Sequence, residues 1–157
     1  MNSEFFSFQL ADALRIAIPL LHIEKIIQIQ RQQICPLPGI ASYWAGITHY
    51  QGSLLWILDS ERFFDFTPTP ALKKSSWTLI VITLQTLEMR RRIALSAKAL
   101  NGILSLDLIN SSSFPPSPQF KNLFSASIIL EEEIILVLDT DSFFSNLCTS
   151  KHSLINV

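Results

Sequence analysis

Short apolar runs separated by polar or proline-containing stretches extend along most of the chain, and they predict a mainly β protein. The predicted pairs of strands are residues 5–10 with 14–19, 77–84 with 92–97, and 127–130 with 134–138. Residues 22–29 fit neither period well and are interpreted as a helical turn that passes into a strand. Loops are predicted at residues 31–42 and 111–118, because prolines remove backbone hydrogen-bond donors there.

One phrase of the sequence occurs twice. Residues 54–64 read LLWILDSERFF, and residues 134–144 read IILVLDTDSFF. Each copy predicts a buried strand followed by a short helix, with Asp59 or Asp139 as the helix cap. The repetition indicates two similar lobes, separated by a polar linker at residues 65–76. The alternative is coincidence, since a strand, a cap and a helix form a common local unit.

The hairpin around Gln51 and Gly52 has no polar face. A two-residue turn at this position would place apolar side chains on both sides of the paired strands at residues 46–58. Both faces should therefore be covered, one by the core and the other by a second lobe or a partner. Trp56 is the candidate partner anchor on this hairpin, and an ordinary core tryptophan is the alternative.

Composition limits the possible partners. Of the 157 residues, only 16% are charged and 48% are apolar, so either the interior is unusually apolar or some apolar surface contacts other proteins. A net charge of -1 gives no electrostatic reason to expect a nucleic acid partner. No stretch approaches the roughly 18 apolar residues needed for direct membrane insertion. Cys35 and Cys148 lack metal-ligand spacing and are interpreted as free thiols of a cytoplasmic protein.

The sequence contains no arrangement typical of catalysis. His22, His49 and His152 share no ligand spacing, and the patterns of zinc proteases, serine hydrolases and nucleotide-binding loops are missing. Asp59 and Asp139 follow apolar runs at the position of a helix cap, which favours a structural role over an acid pair. We therefore expect a protein that is not an enzyme and that uses no metal or cofactor.

Several longer segments, taken together and in this order, resemble CheW, the coupling protein of bacterial chemotaxis. They are RIAIPLLHIEKII at residues 15–27, PLPGIASYWAGITHYQG at 36–52, and the two copies of the repeated phrase. The resemblance implies a single CheW-like domain at residues 4–148. Its two lobes would lie roughly at 11–76 and 77–138, with the terminal segments packing back, and residues 149–157 would form a flexible tail.

The resemblance also implies a fold and a function. The fold would be two small five-stranded SH3-like β-barrels packed together with short helices. The function would be that of a non-catalytic adaptor in the cytoplasm, which couples the helical tips of membrane chemoreceptors to the regulatory domain of a CheA-type histidine kinase. The pathway could be chemotaxis, phototaxis or pilus-driven motility. The alternative is a small β-barrel module that binds a nucleic acid or small molecule, as OB-folds do.

The family pattern places the receptor-binding surface on two segments of this chain. The expected residues are Ile23, Lys25, Ile26, His49, Gln51 and Gly52. Lys25 stands where the family usually has Glu, Gln51 where it has Arg, and Lys98 where it often has Asp. Loss of the Arg removes a planar fork suited to carboxylates, and Lys25 reverses a charge. We therefore expect a divergent member that serves a different receptor.

Overall fold

The computed structural model describes residues 3–64, 75–108 and 122–149, and strands account for most of them. The strands are β1 (Ser3–Ala11), β2 (Leu14–Pro19), β3 (Ile23–Gln30), β4 (Trp44–Tyr50), β5 (Ser53–Leu58), β6 (Ser76–Gln85), β7 (Arg90–Ala97), β8 (Ala99–Leu106), β9 (Phe124–Leu130) and β10 (Glu133–Leu138). Two α-helices, α1 (Ser60–Phe63) and α2 (Thr140–Thr149), follow β5 and β10. The predicted mainly β fold class is confirmed.

The three strand pairs predicted from the sequence are all confirmed, as antiparallel hairpins β1–β2, β6–β7 and β9–β10. A 3₁₀ turn at Leu20–His22 leads into β3, as the pattern there predicted, and a second one at Arg31–Gln33 opens the predicted loop at 31–42. The predicted loop at 111–118, most of the linker at 65–76 and residues 150–157 of the predicted tail lie outside the described residues.

The strands form two five-stranded sheets with the same internal plan. The sheet of lobe A has the order β8-β1-β2-β10-β9, and the sheet of lobe B has the order β3-β6-β7-β5-β4. In each sheet a set of three antiparallel strands lies beside an antiparallel hairpin. The two sets join through one parallel strand pair, β2 with β10 in lobe A and β7 with β5 in lobe B. Strand for strand, β8 therefore corresponds to β3, β1 to β6, and β9 to β4.

Each sheet draws strands from both halves of the chain. The first repeat runs from β1 to α1 and the second from β6 to α2. Lobe A combines β1 and β2 of the first repeat with β8, β9 and β10 of the second, and lobe B combines the remaining strands. The lobes thus differ from the predicted ranges 11–76 and 77–138, because β2 lies in lobe A whereas β6 and β7 lie in lobe B. The sequence reveals the repeats but not which hairpin completes which sheet.

The repeated phrase folds the same way in both lobes. The Asp59 carboxylate accepts a hydrogen bond from the Arg62 backbone nitrogen at 3.3 Å, and the Asp139 carboxylate accepts one from the Ser142 nitrogen at 3.2 Å. Both aspartates therefore cap the first turn of the helix that follows, which was predicted from the sequence. The duplication is a feature of the fold and not a coincidence of composition.

The central strands are buried on both faces. In β10, Leu136 and Leu138 face the apolar layer between the lobes, whereas Ile135 and Val137 face the interior of lobe A. This double burial explains why the strand reads as a continuous apolar run. The phenylalanines that end the repeated phrase meet in the shared layer, where the rings of Phe63 and Phe143 lie edge to face with centroids 5.4 Å apart.

A glycine is required at position 46 because the backbone there passes very close to the backbone at Cys35. The residue has a φ of 143°, and a Cβ at this position would lie 2.3 Å from the carbonyl oxygen of Cys35. Two hydrogen bonds between the backbones of Cys35 and Ile47, at 2.8 and 3.0 Å, hold the segments together.

We expect Gly46→Ala to lower the free energy of unfolding by about 3 kcal/mol or more, because one backbone segment must move to admit the methyl group. Urea unfolding of the purified protein measures this change. Gly39→Ala is the matched control, since Gly39 also has a positive φ, of 80°, but has open space around it. It should cost only about 1 to 2 kcal/mol. Equal losses of unfolding free energy in the two variants would show that the close approach to Cys35 is unimportant.

Candidate functional site

Strand β3 lies at an edge of lobe B and carries three of the predicted receptor-binding residues. Ile23 pairs with Ile82 and Lys25 with Val81, so Glu24 is the extra residue of a β-bulge. Ile23 and Ile26 are half-buried and pack against the layer between the lobes, whereas Lys25 is exposed. The edge of the strand therefore offers partly open apolar surface beside a cationic side chain.

The other three predicted residues lie at the end of the β4–β5 hairpin. Gln51 and Gly52 have φ values of 47° and 79°, and Tyr50 pairs with Ser53, which confirms the predicted two-residue turn. His49 is exposed and stands opposite Leu54, whose side chain is 63% exposed. The face of the hairpin that carries His49 and Leu54 is therefore covered near the base of the hairpin but open at its tip. The prediction that both faces are covered is correct only in part.

A hydrogen bond joins these two segments. The Tyr50 hydroxyl donates to the Glu24 Oε2 atom at 3.2 Å, which links the last residue of β4 to the bulge of β3. Strands β4 and β3 are the two edges of the sheet, so this contact closes lobe B at one end. The structure therefore brings the six predicted residues to the same end of lobe B.

Glu24 is the centre of a polar cluster that the sequence did not reveal. Its Oε1 atom accepts hydrogen bonds from the Thr83 hydroxyl at 3.0 Å and from Arg92 Nε at 3.2 Å, and it forms an ion pair with Arg90. The Arg92 guanidinium also lies 5.3 Å from the centroid of the Tyr50 ring. The basic run at residues 90–92 begins β7, and two of its arginines, Arg90 and Arg92, pair with Glu24.

The cluster fixes the protonation states of its members. Burial raises the pKa of Glu24, but the hydrogen bond from Thr83, the charge of Arg92 and the bonds to Tyr50 and Arg90 outweigh it, so the pKa lies below its ordinary value of 4.5. Burial and the neighbouring Glu24 raise the pKa of Tyr50 above its ordinary value of 10.0. At neutral pH Glu24 is therefore an anion and Tyr50 a neutral donor.

Trp56, the predicted partner anchor, lies half-buried on the same hairpin. It packs against the layer between the lobes, and its ring meets that of Trp44 edge to face with centroids 5.5 Å apart. The indole is therefore held in place by the core while part of it remains accessible.

Among the described residues, no group of three or more histidine, cysteine or acidic side chains could hold a metal ion. His22 Nδ1 lies 2.9 Å from the Thr140 hydroxyl, at the start of α2, and Cys35 is an exposed free thiol. Within the ranges that the structure covers, no helix has the length and apolar character to cross a membrane.

Comparison with protein-family models identifies one family. The family model described as "CheW-like domain" matches residues 4–148. Among solved structures, the chain is similar to the scaffolding protein TtCheW from Thermoanaerobacter tengcongensis, with a TM-score of 0.71 and 14% sequence identity. That similarity covers 88% of this chain and 90% of the other. No curated protein sequence matches the chain.

We expect Glu24→Gln to destabilise the protein at neutral pH and to have little effect in acid. Because folding lowers the pKa of Glu24, the ionised carboxylate stabilises the folded state above pH 4.5, and this contribution is lost as the pH falls through the lower folded-state value. Urea unfolding at neutral pH and at about pH 3 measures the difference. Glu88→Gln, on the exposed turn after β6, is the control. An equal loss at both pH values would show that the charge of Glu24 is not the cause.

Proposed function

The chain belongs to the CheW-like family of non-catalytic chemotaxis scaffolds, and from this we propose that it couples chemoreceptors to a CheA-type histidine kinase. The similarity to a solved CheW scaffold, which concerns the fold, agrees with an adaptor role. In this proposal the protein makes and breaks no bonds. It works in the cytoplasm at membrane receptor arrays and transmits receptor signals through contacts.

The observation that carries the proposal is the open edge of lobe B. Ile23 and Ile26 are half-buried rather than enclosed, and Leu54 at the adjoining hairpin tip is mostly exposed. An amphipathic helix can cover such a row of apolar side chains with one face while its polar face stays in water. The helical tip of a chemoreceptor is the partner that we assign to this surface.

Charged and polar residues around the apolar edge select the partner. Lys25 is exposed on the bulge, and His49 and Gln51 are exposed at the hairpin tip. Glu24, the carboxylate nearest to Lys25 in the sequence, is already paired with Arg90 and Arg92. Lys25 therefore favours an acidic residue on the receptor, opposite to the preference of a family member with Glu at this position. This reversal supports a divergent member with its own receptor.

The second partner is the regulatory domain of the kinase. Trp56 is our proposed anchor for a protein contact on the hairpin, because its large ring is held by Trp44 and remains partly accessible. A preorganised aromatic side chain loses little conformational entropy on binding, which is why such residues often dominate protein interfaces.

We expect Ile26→Asp to weaken binding of the cognate receptor tip by about tenfold or more, because the carboxylate would be placed in the apolar edge. Titration calorimetry with a receptor-tip fragment measures the change. Gln28→Asp is the matched control. Gln28 is exposed two residues further along the same strand, and its substitution introduces the same negative charge. Thermal unfolding checks that both variants fold. If Ile26→Asp unfolds, Lys25→Glu provides the same test at an exposed position.

Binding assays with the kinase regulatory domain and with labelled single-stranded DNA distinguish the proposed function from the alternative. We expect saturable binding to the kinase domain and none to the DNA. Binding to DNA alone would contradict the proposal and favour a nucleic-acid-binding barrel.

A further inference from the structure

Lobe B has a cavity at the end that lies away from the Glu24 cluster. We propose that this cavity binds a small organic carboxylate with an apolar body, whose charge pairs with Arg31 and Arg62 and whose apolar part lies against Trp77. The site is separate from the receptor and kinase contacts proposed above, and its test does not depend on them.

The directions of the strands show where the cavity lies. Strand β3 runs away from Glu24 and reaches Trp77 of β6 near its far end. Strand β4 ends at Tyr50, beside Glu24, and begins next to Ala45 at the far end. Trp77 and Ala45 pack in the interior of lobe B, and both line the cavity. The cavity is therefore the open end of the lobe B barrel, and the mouths of β-barrels are common ligand sites.

The size and the apolar lining of the cavity suit the body of a small molecule. Its volume is about 180 Å³, and roughly 150 Å³ is enough to hold benzene in a protein interior. The apolar lining is contributed by Ile34, Pro36, Ala45 and Trp77. Because Trp77 is buried in the interior of the lobe, its ring offers a fixed flat surface to a ligand. The cavity can therefore hold one aromatic ring or a short branched chain.

Two exposed arginines, Arg31 and Arg62, line the same cavity. The Arg62 Nε atom lies 3.4 Å from Oδ2 of Asp59, whose carboxylate also caps α1. In the part of the chain that the structure describes, the Arg31 guanidinium forms no ion pair. Asp59 is the one acid among the described residues that line the cavity, so the two arginines outnumber the acids there. The cavity therefore has an excess of positive charge.

The amount of positive charge favours a carboxylate over a phosphate. A guanidinium group presents planar N–H donors that match the two oxygens of a carboxylate, and phosphate oxygens can accept the same bonds. A phosphate monoester, however, carries a charge of about −1.5 to −2 at neutral pH. Two arginines and one aspartate leave one positive charge, which a carboxylate balances. We therefore assign a carboxylate to the site.

The equivalent end of lobe A also has a cavity, but its chemistry differs. Counted from the bulges of β3 and β8, Trp77 of lobe B corresponds to Ser3 of lobe A. Counted from the aspartate caps, Arg62 corresponds to Ser142. The cavity of lobe A is lined by Ser3 and Glu4, and its described lining residues include no cation. The anion site therefore depends on side chains that only lobe B has, and not on the shared strand order.

Titration of the purified full chain with benzoate, followed by ¹H–¹⁵N NMR, tests the proposal. We expect the indole N–H signal of Trp77 to shift with a dissociation constant of about 1 mM. The indole signals of Trp44 and Trp56, which pack in the layer between the lobes, should not shift. Neutral benzamide should bind at least about tenfold more weakly, because it lacks the charge. No saturable shift with benzoate up to about 20 mM, equal binding of benzamide, or tighter binding of phenyl phosphate would overturn the proposal.

Two substitutions at exposed positions test the location of the site. Arg31→Gln should raise the dissociation constant of benzoate by about tenfold, because it removes a positive charge that pairs with the carboxylate. Ser42→Phe should weaken benzoate binding by a similar factor without changing the charge, because Ser42 lines the cavity and a ring there would fill it. Arg91→Gln is the matched control, since Arg91 pairs with Leu84 near the opposite end of lobe B, and it should leave benzoate binding unchanged. Equal losses in the two arginine variants, or unchanged binding in Ser42→Phe, would overturn the proposal.

Discussion

The apolar layer between the two sheets is the interaction on which the rest of the structure depends. It receives side chains from both sheets and both helices, including Leu58 and Leu138 from the repeated strands and the phenylalanines that follow them. Because each repeat supplies strands to both sheets, neither lobe can form from one half of the chain alone. The layer and the strand pairs between repeats therefore stabilise each other, since separating the two repeats would require breaking strand pairs in both sheets as well as the apolar layer. This arrangement makes the two lobes one folding unit.

The low content of charged residues follows from the same arrangement. Strands such as β6 and β10 are buried on both faces, toward the shared layer and toward the interior of their own lobe. Charged side chains are therefore excluded from the middle of the sheets and are found largely where strands begin and end. The Glu24 cluster at the end of lobe B and the acidic turn at the end of lobe A are both products of this exclusion. The surfaces that we propose to distinguish partners therefore lie at the tips.

The sequence was sufficient to predict those features that depend on neighbours along the chain. The Gln51–Gly52 turn and the aspartate caps are set by residue types within a few positions of one another, and the structure confirms them. Pairing between distant segments could not be predicted in the same way. Nothing near Glu24 indicates that Arg92 lies beside it, because that contact exists only once β3 and β7 flank β6 in the same sheet. The lobe boundaries differ from the prediction for the same reason.

The two lobes have an equivalent strand order but different side chains at equivalent positions, which explains how one small protein can present two unlike surfaces. At equivalent bulges lobe B has Glu24 and lobe A has Asn101, and at equivalent turn positions lobe B has Gln51 and lobe A has Glu131. In lobe B the Glu24 carboxylate at the bulge forms ion pairs with Arg90 and Arg92. It also accepts a hydrogen bond from Tyr50, which joins the two edges of the sheet. Lobe A has no carboxylate at its bulge, and the two acids of its turn, Glu131 and Glu132, are exposed. Because the strand order is equivalent in both lobes, the different chemical character of the two tips depends on these few side chains and not on the strand topology.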